Sequence, residues 1–233
     1  LLARCQENGI GAPWSHQVAA AEIAHGGRHV VLATGTASGK SLGYQLPVLS
    51  DVLAGTAAPN ARGATALYLA PTKALAHDQL RVLNALAPAG VRVAAYDGDT
   101  ESEERPWIRA HAHVVLSNPD LLHRSLLPGH TAWSGFLRSL AYVVVDECHV
   151  YSGLFGSHVA NVLRRLHRVC ARYGSTPTFV LASATTGDPA ATATRLVGMP
   201  VQAVTEDGSP HGATVFGLWE PPLLPGGGEH GAP

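Results

Sequence analysis

Two short stretches of this chain carry residues whose types and spacing suit phosphate chemistry. Residues 33–41 read Ala33-Thr34-Gly35-Thr36-Ala37-Ser38-Gly39-Lys40-Ser41, between the apolar run 29–32 and a helical pattern from 41 onward. Small residues let backbone N–H groups approach a phosphate, and a helix N-terminus adds partial positive charge. Lys40 supplies a mobile point charge, and the Ser41 hydroxyl can ligate magnesium. A strict phosphate loop has glycine six residues before its lysine, where this chain has Thr34. A small-residue βα turn without a ligand is the competing reading.

The second stretch is Asp146-Glu147-Cys148-His149, directly after the apolar run Tyr142-Val143-Val144-Val145. An acid ending a strand beside a phosphate loop is placed to hold the magnesium that bridges the phosphates. Asp146 is therefore read as the metal-side carboxylate. Glu147 is read as the general base on the attacking water; carboxylates that cap a turn would look the same. One helix upstream of the loop, Gln17 offers a donor and an acceptor that suit adenine, although a surface glutamine shares that pattern. Ser183-Ala184-Thr185 sets two hydroxyls at the end of another strand, as a helix N-cap also would.

These groups need a frame, and the hydrophobic pattern supplies one. Apolar runs at 29–32, 66–70, 91–96, 113–117, 142–146, 178–182 and 201–204 read as strands. Helical patterns at 18–24, 41–49, 72–86, 101–109, 120–127, 157–172 and 189–197 alternate with them. Thr100, with Glu103 three residues on, reads as a capping box for the fourth of these. Repeated βα units with apolar strands predict an α/β fold, a mostly parallel sheet with helices on both faces. Ligands in such folds bind beyond the carboxyl ends of the strands, and every candidate motif falls at such an end.

At 233 residues the chain can bury one large core or two small ones. With 46% hydrophobic and 14% charged residues it is globular in character. A net charge of -1 leaves nucleic-acid binding to local patches. No apolar run of about 18 residues predicts a membrane span, and no secretory leader is read. Cys5, Cys148 and Cys170 are scattered, which argues against a disulfide framework or structural zinc and for a cytoplasmic location. Lys40 and Lys73 are the only lysines among 16 basic residues. The arginine bias fits a GC-rich, actinobacterial source, and lysine persisting inside two motifs suggests that arginine cannot serve there.

Taken together and in order, several segments resemble the motifs of superfamily 2 helicases. They are Gln17, residues 36–41, Pro71-Thr72-Lys73, Tyr96-Asp97-Gly98-Asp99-Thr100, Ser117-Asn118-Pro119-Asp120, Asp146-Glu147-Cys148-His149 and Ser183-Ala184-Thr185. The loop, the Tyr96–Thr100 element and the segment from His149 to Val159 are most similar to the MrfA-type DNA repair helicases, relatives of the RecQ group. The resemblance implies a three-layer RecA-like P-loop domain over residues 1–210 and a linker over 211–233. It implies ATP and Mg2+ as cofactors. Gln17 would meet adenine; Thr36, Ala37, Ser38, Gly39, Lys40 and Ser41 would hold the phosphates; Ser41 and Asp146 would hold the metal; Lys40, Asp146 and Glu147 would serve hydrolysis.

By the same resemblance His149, Ser183 and Thr185 would couple hydrolysis to movement. Pro71, Thr72, Lys73, Gly98, Asp99, Thr100, Asn118, Pro119 and Asp120 would face single-stranded or tailed DNA. Tyr151 and Phe155, just past the carboxylates, are expected to sense bases by stacking, with core packing as the other reading. Such helicases close a second RecA-like domain over the nucleotide. The chain is accordingly read as the first motor domain alone, nearly inactive by itself. An RNA helicase domain and an ATP-sensing module that does not translocate are the alternatives.

Overall fold

A computed structural model describes residues 1–56, 63–210, 212 and 215–220. Helices α1 (Leu2–Glu7) and α2 (Ser15–His25) lead into strand β1 (Val30–Leu32). Then come α3 (Ser41–Thr56), β2 (Thr65–Leu69), α4 (Lys73–Leu86), β3 (Val93–Ala95), α5 (Glu104–His111) and β4 (Val114–Ser117). The short α6 (Pro119–Leu121) runs into a single π turn over Leu122–Leu126, followed by α7 (Ser134–Arg138) and β5 (Leu140–Val145). The order closes with α8 (Gly153–Arg172), β6 (Thr178–Ala182), α9 (Pro189–Val197) and β7 (Gln202–Val204).

The seven strands form one sheet in the order β3-β4-β2-β5-β6-β1-β7, and every pairing among the described residues is parallel. The expectation of a mostly parallel sheet is met by a fully parallel one. Period-two alternation divides the strand side chains between two cores. Leu32, Tyr68, Leu116 and Val144 face one core, shared with Ala20, Tyr44, Leu49 and Leu83 of α2, α3 and α4. Val31, Leu69, Val115 and Val143 face the other, shared with Phe136, Leu163 and Leu196 of α7, α8 and α9. Early helices thus cover one face and later helices the other. Among the described residues, no helix is long and apolar enough to cross a membrane.

Register gathers the motifs. Leu32 lies opposite Ala182, and Val145 opposite Leu181. The Ser183 N–H donates to Leu32 O, and the Asp146 N–H donates to Leu69 O, both at 2.9 Å. The loop after β1, Ser183 and Asp146 therefore leave the sheet side by side.

Several local expectations change. Thr100 does not cap α5: its hydroxyl accepts the Asp97 N–H at 2.9 Å, closing a turn, and α5 starts later with Glu103 at its cap position. Helix α8 begins at Gly153, four residues before the predicted start at Ser157, whose hydroxyl donates to Gly153 O within the first turn. The short helices α1 and α7 gave no periodic signal. Helix α7 exists because Phe136 and Leu137 are fully buried, with Trp133 edge-on to both Tyr96 and Phe136; truncating such an aromatic costs about 3–5 kcal/mol. Of the expected linker, residues 212 and 215–220 are exposed and without regular structure, and the rest lies outside the described residues.

Candidate active site

The loop between β1 and α3 is held by its own short side chains. Ser38 Oγ donates to Gly35 O at 2.8 Å, so Thr34 Oγ1 must be the donor in its 2.6 Å contact with Ser38 Oγ. Thr34, standing where a strict loop has glycine, thus pins the loop with a buried hydroxyl. The Lys40 ammonium donates to the carbonyls of Thr34 at 3.1 Å and Gly35 at 2.7 Å. Thr36 and Ala37 form the exposed crown, and Ala37 sits in the left-handed region at φ 62°. Gly39 has φ +66°, and a Cβ there would meet Trp14 at 2.9 Å and Gln17 at 2.8 Å, so only glycine fits.

Two residues of α2 grip this loop. Gln17 donates to Gly39 O at 2.9 Å and accepts the Trp14 N–H at 2.8 Å. That leaves its amide one N–H and one lone pair for another partner. Beside it a cleft of about 500 Å³ is lined by Ile10, Gly11, Trp14, Gln17, Gly39 and Leu42, a size and polarity that suit a nucleobase and sugar. His16, which the sequence did not single out, is buried and uses both ring nitrogens. Nδ1 accepts the Gly208 N–H at 3.2 Å, so Nε2 carries the proton it donates to Ser38 O at 2.8 Å.

Asp146 follows β5 and is nearly buried. One carboxylate oxygen accepts from the Tyr68 hydroxyl, and the other accepts the Glu147 N–H at 2.9 Å. Burial raises its pKa above the ordinary carboxylate value; the two hydrogen bonds and the Lys40 charge oppose that rise. Glu147 is half-buried at φ 47°, a left-handed backbone that costs a glutamate about 1–3 kcal/mol. On the α3 side, the Ser41 hydroxyl accepts from Gln79 of α4 at 3.3 Å, and Gln79 accepts from Gln45 at 3.1 Å. Ser41 and Asp146 offer hard oxygen donors, and the buried Tyr44 hydroxyl near both lacks a hydrogen-bond partner. Those features fit a hydrated magnesium ion.

His149 stands between two motifs. Its Nδ1 accepts the Ala184 N–H at 3.2 Å and also lies 3.2 Å from Glu147 Oε2, to which it can donate only when protonated and released from Ala184. Ser183 is buried at the carboxyl end of β6, and Thr185 is exposed.

The residues expected to face nucleic acid cluster at the ends of β2, β3 and β4. Pro71 precedes Thr72, which caps α4 by accepting the Leu75 N–H at 3.3 Å. Lys73 Nζ reaches both carboxylate oxygens of Asp99 at 2.8 Å, which holds the lysine pKa up and the aspartate pKa down. Gly98 lies beside that lysine and is exposed. Asn118 caps α6 through the Leu121 N–H at 2.8 Å, and Asp120 pairs with Arg124 at 3.0 Å. Pro119 is buried. Tyr151 is 5% exposed, its ring in the core, so it offers no face to a base; the open aromatic of that segment is Phe155, at 54%.

Comparison with known proteins agrees with this geometry. The DEAD/DEAH box helicase profile matches residues 14–193. The ATP-dependent helicase YprA of Bacillus subtilis is 42% identical over 229 residues, 96% of this chain and 30% of that protein. The ATP-dependent helicase HRQ1 of Saccharomyces cerevisiae is 44% identical over 220 residues, 91% of this chain and 20% of that protein. The crystal structure of the DUF1998 helicase MrfA bound to DNA and AMPPNP superposes with a TM-score of 0.84 at 42% identity, covering 90% of this chain and 29% of that one. The Hef helicase domain of Pyrococcus furiosus, 20% identical at a TM-score of 0.65, covers 84% of this chain and 39% of its own, and shares the fold alone. The chain spans less than a third of the length of YprA and HRQ1. Nothing in these likenesses supports the actinobacterial source expected from composition. The sheet is RecA-like, and the chain belongs to the DEAD/DEAH box helicase family.

Proposed function

We propose that this chain is the first motor domain of an ATP-dependent DNA helicase or translocase acting in DNA repair. The observation that carries the reading is Lys40 and Ser41 after β1 and a buried, doubly hydrogen-bonded Asp146 after β5, at the same end of the sheet with only β6 between them. In this reading Gln17 and the adjoining cleft take the adenine and ribose. Backbone N–H groups of residues 36–41 and the Lys40 ammonium take the phosphates, the lysine exchanging its carbonyl partners for phosphate oxygens. Ser41 and Asp146 hold magnesium, which supplies charge neutralisation on the phosphates. Glu147 orients a water and accepts its proton, and His149 passes any shift of Glu147 to the Ser183–Thr185 loop.

Thr72, Lys73, Gly98, Asp99, Thr100, Asn118 and Asp120 line the strand-tracking face, where phosphate contacts need no high net charge. A second RecA-like domain, closing over the nucleotide, brings the missing positive charge. Exposed Val215, Phe216, Leu218 and Trp219 are the kind of apolar stretch a further domain would cover. Within this reading the chain binds nucleotide but hydrolyses it slowly, because an arginine supplied in trans is worth about 10³-fold or more.

The test is an ATPase assay on the protein extended to the length of its relatives, with single-stranded DNA, RNA or neither. Stimulation by DNA alone is expected. Stimulation by RNA alone would transfer the reading to RNA, and indifference to both would leave a nucleotide sensor.

A further inference from the structure

Beneath Asp146 lies a pair of tyrosines that phosphate binding alone does not explain. Tyr68, within β2, is 1% exposed, and Tyr44, in the first turn of α3, is 2% exposed. Their ring centroids are 5.9 Å apart, with the planes tilted by 49°. Tyr68 donates to one oxygen of Asp146, while the Glu147 N–H holds the other. Each carboxylate oxygen is thereby gripped from inside the protein and keeps a lone pair for an outside partner. Tyr44 meets neither of the nearby hydroxyls of Ser41 and Tyr68 at hydrogen-bonding geometry.

Phenylalanine at either position would fill the same space without a polar atom. A buried hydroxyl that lacks a partner costs roughly 1–3 kcal/mol, and such groups call for an explanation beyond packing. The Tyr68 hydroxyl lies on Asp146, and the Tyr44 hydroxyl lies near both Ser41 and Asp146, the two residues that offer oxygen donors to a cation.

We infer that Tyr68 and Tyr44 form the outer layer of the cation site. Tyr68 is a positioning residue: it fixes the orientation of the Asp146 carboxylate, so that one oxygen is presented to the metal. Tyr44 donates to water in the hydration shell of a magnesium ion ligated by Ser41 and Asp146. Partners of this kind orient ligands and set metal affinity without touching the metal. The inference rests on the nucleotide-binding reading above.

The experiment measures the affinity of this chain for a fluorescent ADP in magnesium and in EDTA, for wild type, Tyr68→Phe and Tyr44→Phe. Manganese binding to the nucleotide complex, followed by electron paramagnetic resonance, gives a second readout independent of turnover. In Tyr68→Phe the affinity in EDTA is expected to stay unchanged, while the gain from magnesium falls about tenfold. Tyr44→Phe is expected to lose part of that gain. In an Asp146→Asn background Tyr68→Phe is expected to add nothing further. A magnesium gain that survives Tyr68→Phe overturns the inference alone. An equal loss in EDTA and in magnesium assigns the tyrosine to packing and also overturns it. A wild-type chain without any magnesium gain removes the metal reading and this inference together.

Discussion

Around the loop after β1 and the end of β5, the chemical groups are tied by bonds sealed from water: Thr34 to Ser38, His16 to Ser38, and Tyr68, reaching over from β2, to Asp146. On the β2, β3 and β4 side, Ser117 and Asp97 are buried, but the charged pairs are open to solvent: Lys73 to Asp99 and Arg124 to Asp120. Buried hydrogen bonds in a low dielectric hold one geometry, whereas exposed ion pairs are screened and easily exchanged. A site that must place one phosphate repeatedly suits the first construction. A surface that must release one backbone phosphate and take the next suits the second. Backbone strain follows the same division: Ala37 and Glu147, the non-glycine residues with positive φ among those described, both belong to the sealed side.

The largest effect that would break this contrast is at Lys40. Lys40→Ala is expected to weaken nucleotide binding by about 10- to 100-fold, the value of a charge-assisted contact. A change under twofold in a nucleotide titration would mean that the sealed side is not the phosphate site. Next comes the stored strain. Ala37→Gly should raise unfolding stability by about 1 kcal/mol, because glycine adopts left-handed backbone without the Cβ penalty; a urea titration in which glycine destabilises would deny that strain.

Smaller effects belong to the open side. Lys73→Ala is expected to reduce the log–log salt slope of single-stranded DNA binding by about 0.7, one phosphate's share, with nucleotide affinity in the absence of DNA unchanged. Asp99→Asn frees Lys73, so DNA affinity should rise a few-fold at low salt and revert at high salt. The smallest effect is the pair's contribution to folding. The folded-state pKa of Asp99 lies below its usual 3.8. The stabilisation it brings is therefore present above that value and lost as pH falls through the lowered one. Because both partners are exposed, the melting-temperature gap between wild type and Asp99→Asn should be slight at pH 7 and vanish in acid.

How legible was this in the sequence? Strand positions and the order of motifs were, because parallel strands buried on both faces read as unbroken apolar runs. The range predicted for α9 matches, since Pro189 starts it and Gly198, at φ 80°, ends it. The contributions of His16 on α2 and Tyr68 on β2 were not legible. His16 looks like any helix histidine until the turn after β7 delivers the Gly208 N–H to it. Tyr68 offered one weak signal, a polar tip inside a fully buried strand, which must find a partner. Tyr151 misled because an aromatic beside a catalytic motif invites a stacking role; only the packing of α8 shows it turned inward, with Phe155 outside. Thr100 misled for a related reason: one hydroxyl can close a turn or cap a helix, and here it accepts the Asp97 N–H behind it.

His16 has a mechanical consequence. Its ring is a rivet through which the phosphate loop at Ser38 and the irregular segment after β7 share a load. Tension along the chain beyond Gly208 reaches Ser38 through one imidazole, a path of two hydrogen bonds. Conversely, any change in loop shape at Ser38 tugs on the backbone at Gly208. Such a linkage works in both directions, as a strain gauge and as an actuator.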